Sequence, residues 1–136
     1  QGLPKDYRVA MQWYHRAAQQ GDPIAQFHLG VLYANGQGVP QSYQEAARWY
    51  RRAAEQGYAR AQSNLGVMYA LGQGLPKDLI RAYMWLTVAA GASKGDDAKT
   101  AIKNQTTVAS DMTATQIEQA QEMARRCQES EFTQCE

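Results

Sequence analysis

Cys127 and Cys135 are the two cysteines of the chain, with Gln-Glu-Ser-Glu-Phe-Thr-Gln between them. Paired thiols can close a disulfide, exchange electrons or contribute to a soft metal site. A helical pattern ends near Cys127, so the tail can turn back and bring the sulfurs within bridging range. The chain-entropy treatment credits such a small loop with about 2.5 kcal/mol. Spacing alone leaves a disulfide and two free thiols both open. It does not point to zinc, because the remaining ligand types, His15 and His28, are distant and lack ligand spacing.

Other chemistry is weakly represented. The sequence has no Ser-x-x-Lys, Ser-Asp-Asn, Lys-Thr-Gly or Gly-x-Ser-x-Gly, the settings that activate a serine nucleophile. Gly36-Gln37-Gly38 lacks the Lys-Ser/Thr of a phosphate-cradling loop. Trp13, Trp49 and Trp85 could line up as a ligand ladder, but each stands thirty-six residues from the next, in phase with an apolar stripe. Packing is the simpler role. His15 and His28 align with Arg51 and Asn64 one period on, which reads as surface. No metal, cofactor or catalytic residue is expected.

The same period organises the elements that carry these residues. Gly2-Leu3-Pro4 returns as Gly38-Val39-Pro40 and Gly74-Leu75-Pro76, and residues 1–36 match 37–72 at twenty of thirty-six positions. A period of this size marks a stacked array of small units, none of which buries its apolar face alone. Tyr7, Ala10, Trp13, Tyr14, Ala17 and Ala18 form one helical stripe over about residues 6–20. Asp6 can cap it, Pro4 discourages backward extension, and Gly21 and Gly57 can end the two copies in the left-handed region. Ser42 takes the capping place in the second copy, with Glu45 completing a capping box. Asp22-Pro23 opens a second helix ending at Asn35-Gly36, repeated over Ala59–Leu71. Gly30 and Gly66 lie inside these helices at a cost of about 1 kcal/mol each against alanine, which implies close backbone packing, with the Ala17 and Ala18 positions as the facing surface.

The third copy holds from Gln73 to Ala90 and then drifts, with two extra residues near Ser93-Lys94. A helical pattern continues through Ala98, Ile102 and Val108. Thr113 and Gln116 form a fresh capping box before a last helix with Ile117, Ala120, Gln121 and Ala124 inside and Glu118, Glu122, Arg125 and Arg126 outside. A polar final unit is what an array needs at its open end. The expected organisation is one repeat domain over 1–136: the second helix of a truncated repeat over 1–21, full repeats over 22–57 and 58–94, and a cap and tail over 95–136. Residue 1 falls between two helices of a unit, so the sequence reads as part of a longer array. The apolar edge of its first helix is then open to self-association.

Bulk properties narrow the partners. A net charge of +1 with basic residues spread along the chain gives no electrostatic case for nucleic acid. No apolar run approaches the ~18 residues of a membrane span, and no signal peptide is evident.

The run from Ala25 through Leu29-Gly30, Tyr33, Gly36-Gln37-Gly38 and Pro40, with Tyr43, Ala46, Trp49-Tyr50, Ala53-Ala54, Gln56 and Gly57, resembles the Sel-one-like repeat (SLR), a longer relative of the tetratricopeptide repeat. The match covers residues 1–92. Met112-Thr113, Gln116-Ile117, Ala120-Gln121 and Ala124-Arg125 are similar to caps of bacterial members. The resemblance implies an all-α, right-handed superhelix of antiparallel helix pairs with a C-terminal capping helix. It also implies a non-catalytic scaffold or adaptor for a protein or peptide. In the related arrays the helix bearing Leu-Gly-Tyr lines the concave face, which here carries Ile24, Phe27, Val31, Ala34, Asn35, Arg60, Ser63, Val67, Ala70 and Leu71. Phe27, Val31, Val67 and Leu71 are candidate anchors; packing against a neighbouring repeat is the competing reading. Cysteine pairs of similar spacing clamp secreted relatives, which favours a Cys127–Cys135 disulfide, Phe132 pinned on the last helix, and a periplasmic or secreted location over a cytoplasmic one. A structural cap whose binding repeats lie elsewhere is the alternative function. A peptidoglycan or β-lactam hydrolase is the third, since some cysteine-rich relatives are linked to β-lactams.

Overall fold

The computed structural model describes residues 6–136. Gly2, Leu3 and Pro4, the first repeat marker and the expected helix block, lie outside the described residues. Seven helices follow one another: α1 (Tyr7–Gln19), α2 (Pro23–Asn35), α3 (Tyr43–Ala54), α4 (Ala59–Leu71), α5 (Leu79–Ala92), α6 (Gly95–Ala109) and α7 (Ala114–Glu129), with no strand among the described residues. From α1 to α6 each packs on the next, and α7 returns to α5. The chain is an all-α repeat solenoid.

The helix ends follow the local chemistry. Asp22 accepts from the Ile24 amide at 3.0 Å, with Pro23 in the first turn. Asp6, Ser42 and Asp78 each accept from an amide three residues on. Thr113 and Gln116 complete a reciprocal capping box. The box expected at Ser42 is only half made, because the Glu45 carboxylate turns to Arg48 instead. Gly21 and Gly57 end their turns with φ of 97° and 88°, where a side chain would be strained.

Packing explains the two glycines inside helices, with one correction. A Cβ on Gly30 would meet the Tyr50 ring and one on Gly66 the Leu86 side chain. Tyr50 and Leu86 are one period apart, so the facing surface is this position and not the alanine pair. The alanines serve another purpose. Gln26 and Gln62, both buried, donate to the carbonyls of Ala18 and Ala54 at 3.1 and 3.0 Å. Those carbonyls also accept from the Gly21 and Gly57 amides, so each glutamine adds a second donor and ties its helix to the end of the preceding one.

The core is larger on the C-terminal side. Leu65, Met84, Trp85, Leu86 and Val88 are almost fully buried there, sealed by Ala120, Ala124 and Cys127 of α7. Burial of each large apolar side chain contributes about 1.5–3 kcal/mol. Two stripe assignments change: Ile102 is exposed while Ala101 and Val108, seven apart on one helical face, are buried, and Gln121 is exposed while Cys127 extends the α7 stripe. Glu118, Glu122, Arg125 and Arg126 are exposed as expected, with Arg125 bridging Glu122 and Glu129.

Candidate functional site

The periodic tryptophans have unequal surroundings. Trp85 is 0% exposed, Trp49 8% and Trp13 64%. Trp49 is covered by residues of α1 and α2, with His15 edge-on to its ring and Arg52 stacked over it. Trp13 has Arg16 over its ring and is otherwise open. His15 and His28 are half-buried rather than free on the surface, because His28 stacks on Tyr14 with centroids 5.0 Å apart and touches Phe27. Among the described residues no cluster of His, Cys, Asp and Glu could hold a metal ion.

The residues expected on the concave face divide into two kinds. Phe27, Val31 and Val67 are half-buried and lean on the core. Phe27 lies among Tyr50, Tyr58 and His28, with ring centroids 5.3–5.8 Å apart. Ile24 and Leu71 are more than half exposed, and Asn35 is exposed with its amide on Gln37. Phe27, Arg60, Ser63 and Asn64 meet Asp97 and Thr100 around a cavity of about 200 Å³. A second cavity, about 180 Å³, is lined by Ala34, Tyr43, Tyr50, Asn64, Val67 and Met68. Asn64 borders both, which places them in succession along a groove between α2 and α4. Arg60 pairs with Asp97 at 3.2 Å, fixing α6 beside that groove. The first cavity is polar apart from Phe27 and Ala59 and the second is largely apolar, a succession that suits an extended chain better than a reaction.

Cys127 and Cys135 form a disulfide that folds the tail back over the repeats. Phe132 follows it into the array and sits at Gly57 of the α3–α4 turn, packed against the core cluster to which Ala120, Ala124 and Cys127 of α7 belong. Glu136 then reaches a cluster that sequence reasoning missed. Its carboxylate accepts from the Tyr69 hydroxyl at 2.5 Å and the Trp85 indole N–H at 2.9 Å, and pairs with Arg51 and Arg81. Arg51 also donates to the Tyr69 oxygen at 2.6 Å. Burial works against the Arg51 charge, but Tyr69 and Glu136 outweigh it and hold its pKa above the ordinary value. Burial and then the Glu136 hydrogen bond push the Tyr69 phenol up, with Arg51 pulling the other way. Nothing in the spacing of these residues announces the cluster. Its one trace is an acidic residue directly after the second cysteine.

Comparison with known proteins agrees with the architecture. The Sel1 repeat model matches residues 1–22, 23–58 and 59–93. A protective antigen present in uropathogenic Escherichia coli strains, displaying an SLR fold, superposes with a TM-score of 0.84 at 32% identity, over 92% of this chain and 27% of that one. The chain thus spans about a quarter of that protein's length. A Sel1 repeat protein from Oxalobacter formigenes superposes with a TM-score of 0.64 at 40% identity, over 65% of this chain and 68% of that one. No protein with a curated description matches the chain. With the repeat, the fold and these relatives in agreement, the chain belongs to the Sel1 repeat family, whose members are commonly protein–protein interaction scaffolds.

Proposed function

We propose that this chain is a non-catalytic scaffold that holds an extended segment of a protein partner along the α2–α4 groove, in the cell envelope. The observation that carries this reading is the pair of consecutive cavities sharing Asn64. Phe27 and Val67 supply apolar anchors there, while Ser63, Asn64 and Arg60 supply polar contacts for a peptide backbone. Ile24, Val31, Asn35 and Leu71 lie on the same two helices outside both cavity linings and would extend the face. The Cys127–Cys135 disulfide is in keeping with an oxidising compartment such as the periplasm. No helix among the described residues is long and apolar enough to cross a membrane.

Replacing Phe27 by Ala together with Val67 by Asp tests the reading. Affinity for the bound partner falls by at least about tenfold, in a variant that keeps its helicity while its melting temperature drops, because both side chains lean on the core. Undiminished affinity in a folded double variant contradicts it.

The exposed edge of α1 favours a second contact. Trp13, Tyr7 and Val9 present apolar surface that Trp49 and Trp85 bury elsewhere. Copies of the chain associate through it, and sedimentation of Trp13→Ser against the unaltered chain checks this. Equal association of the two rules the α1 contact out.

A further inference from the structure

The Glu136 cluster is built mainly by the repeats. Arg51 comes from α3, Tyr69 from α4, and Arg81 and Trp85 from α5, so helix packing sets their positions. Each carboxylate oxygen has two partners: Tyr69 and Arg81 on one, Trp85 and Arg51 on the other. Asp78 pairs with Arg81 at 2.7 Å and balances one of the two guanidinium charges. The other positive charge, and the N–H of a fully buried Trp85, call for an anionic acceptor at this point. Two guanidinium groups, a hydroxyl and an indole converging on one planar group describe a carboxylate site.

We propose that Arg51, Tyr69, Arg81 and Trp85 form a carboxylate-binding site on the repeat array, that Glu136 is its intramolecular occupant, and that a glutamate side chain of a partner segment takes its place when Glu136 swings out. The site uses none of the residues lining the α2–α4 cavities, so it stands or falls independently of that groove. It lies at the edge of the array: the Glu136 side chain keeps 19% of its exposure, and the residue as a whole is at the surface. The tail itself carries a conformational cost. Glu131 and Phe132 have φ of 54° and 71°, in the left-handed region that residues with side chains disfavour. That turn lies inside the Cys127–Cys135 loop and stays closed when Glu136 swings out, so the exchange involves Glu136 alone and leaves the loop in place.

The test uses the full chain carrying Glu136→Ala, with the disulfide intact. The probe is the acetylated, amidated peptide Thr-Gln-Ser-Glu, whose only carboxylate is the glutamate side chain, and its Thr-Gln-Ser-Gln counterpart. Calorimetry on Glu136→Ala should show the Glu peptide binding at least about tenfold more tightly than to the unaltered chain, and about tenfold more tightly than the Gln peptide. Adding Arg51→Met should abolish that binding. Glu136→Gln, which keeps the tail's shape, gives a second reading: the Glu peptide should move the Trp85 indole N–H resonance saturably. Equal binding of both peptides by folded Glu136→Ala overturns the proposal, as does an indole resonance that stays put.

Discussion

A Cβ placed on Gly30 would stand 2.6 Å from the ring of Tyr50, closer than any side chain tolerates. The same contact recurs one period later, where a Cβ on Gly66 would lie 2.9 Å from Leu86 and 3.1 Å from the Ala82 carbonyl oxygen. Glycine therefore sets how closely the two helices of a repeat approach. Gly30→Ala should destabilise the fold by about 1–3 kcal/mol through overpacking, despite the gain of ~1 kcal/mol in helix propensity. Urea unfolding of Gly30→Ala, Tyr50→Leu and the double variant checks this. The double variant should recover part of the loss, and an additive result would detach the glycine from the tyrosine.

The buried glutamines make a second prediction. Gln56 donates to the Gln26 side-chain oxygen at 2.8 Å, whereas the Gln62 oxygen is buried without a partner. The position one period after Gln56 is Ala92. Gln56→Ala should cost about 1–2 kcal/mol by leaving the Gln26 oxygen unpaired, and Ala92→Gln should add about 0.5–1.5 kcal/mol by supplying the missing donor. Thermal unfolding of both variants measures the pair.

Much of this framework was legible in the sequence because period and spacing are local signals. Glycine placement and most caps follow from neighbours within one turn or one period, whereas on α1 Met11 and Ala18 are buried and Tyr7 and Trp13 of the expected stripe are exposed. The Glu136 cluster was not legible, since Trp85 and Glu136 are 51 residues apart and meet only after the disulfide and the left-handed turn aim the tail. The contact of Phe132 with Gly57 was not legible for the same reason. At the groove, the apolar character of Phe27 and Val67 was readable, but their lean onto the core depends on Tyr50 and Tyr58 crossing from the neighbouring elements.

The disulfide predicts a mass signature. Protein taken from its native compartment and alkylated without reduction should keep its unmodified mass, and reduction should allow two alkylations. Cys127→Ser with Cys135→Ser should lose about 2.5 kcal/mol and free the tail. Two alkylated thiols in unreduced native material would remove the support for an oxidising compartment.

Alkaline pH should also weaken the fold. Burial raises the phenol pKa of Tyr50, offset in part by Asn64, and burial with the Glu136 hydrogen bond raises that of Tyr69. A raised folded-state pKa means the unfolded chain releases its phenol protons first. Stability is thus full below the unfolded tyrosine value of about 10 and falls as pH climbs through the folded values. Denaturation midpoints should drop from about pH 10 upward, less steeply in Tyr69→Phe. The late part of the tyrosinate absorbance change should shrink in Tyr50→Phe and in Tyr69→Phe; a midpoint flat to alkali contradicts both assignments.

Site-specific photocross-linking addresses the scaffold role most directly. A benzophenone side chain is placed at Ser63 or Val67 in the α2–α4 groove, or at Arg48 on the exposed side of α3, and irradiated in living cells. The expected result is one dominant partner adduct from Ser63 and Val67, absent from Arg48 and lost when Phe27 is replaced by Asp. Adducts of equal yield from all three positions, or an adduct from Arg48 alone, would contradict a partner held in the groove.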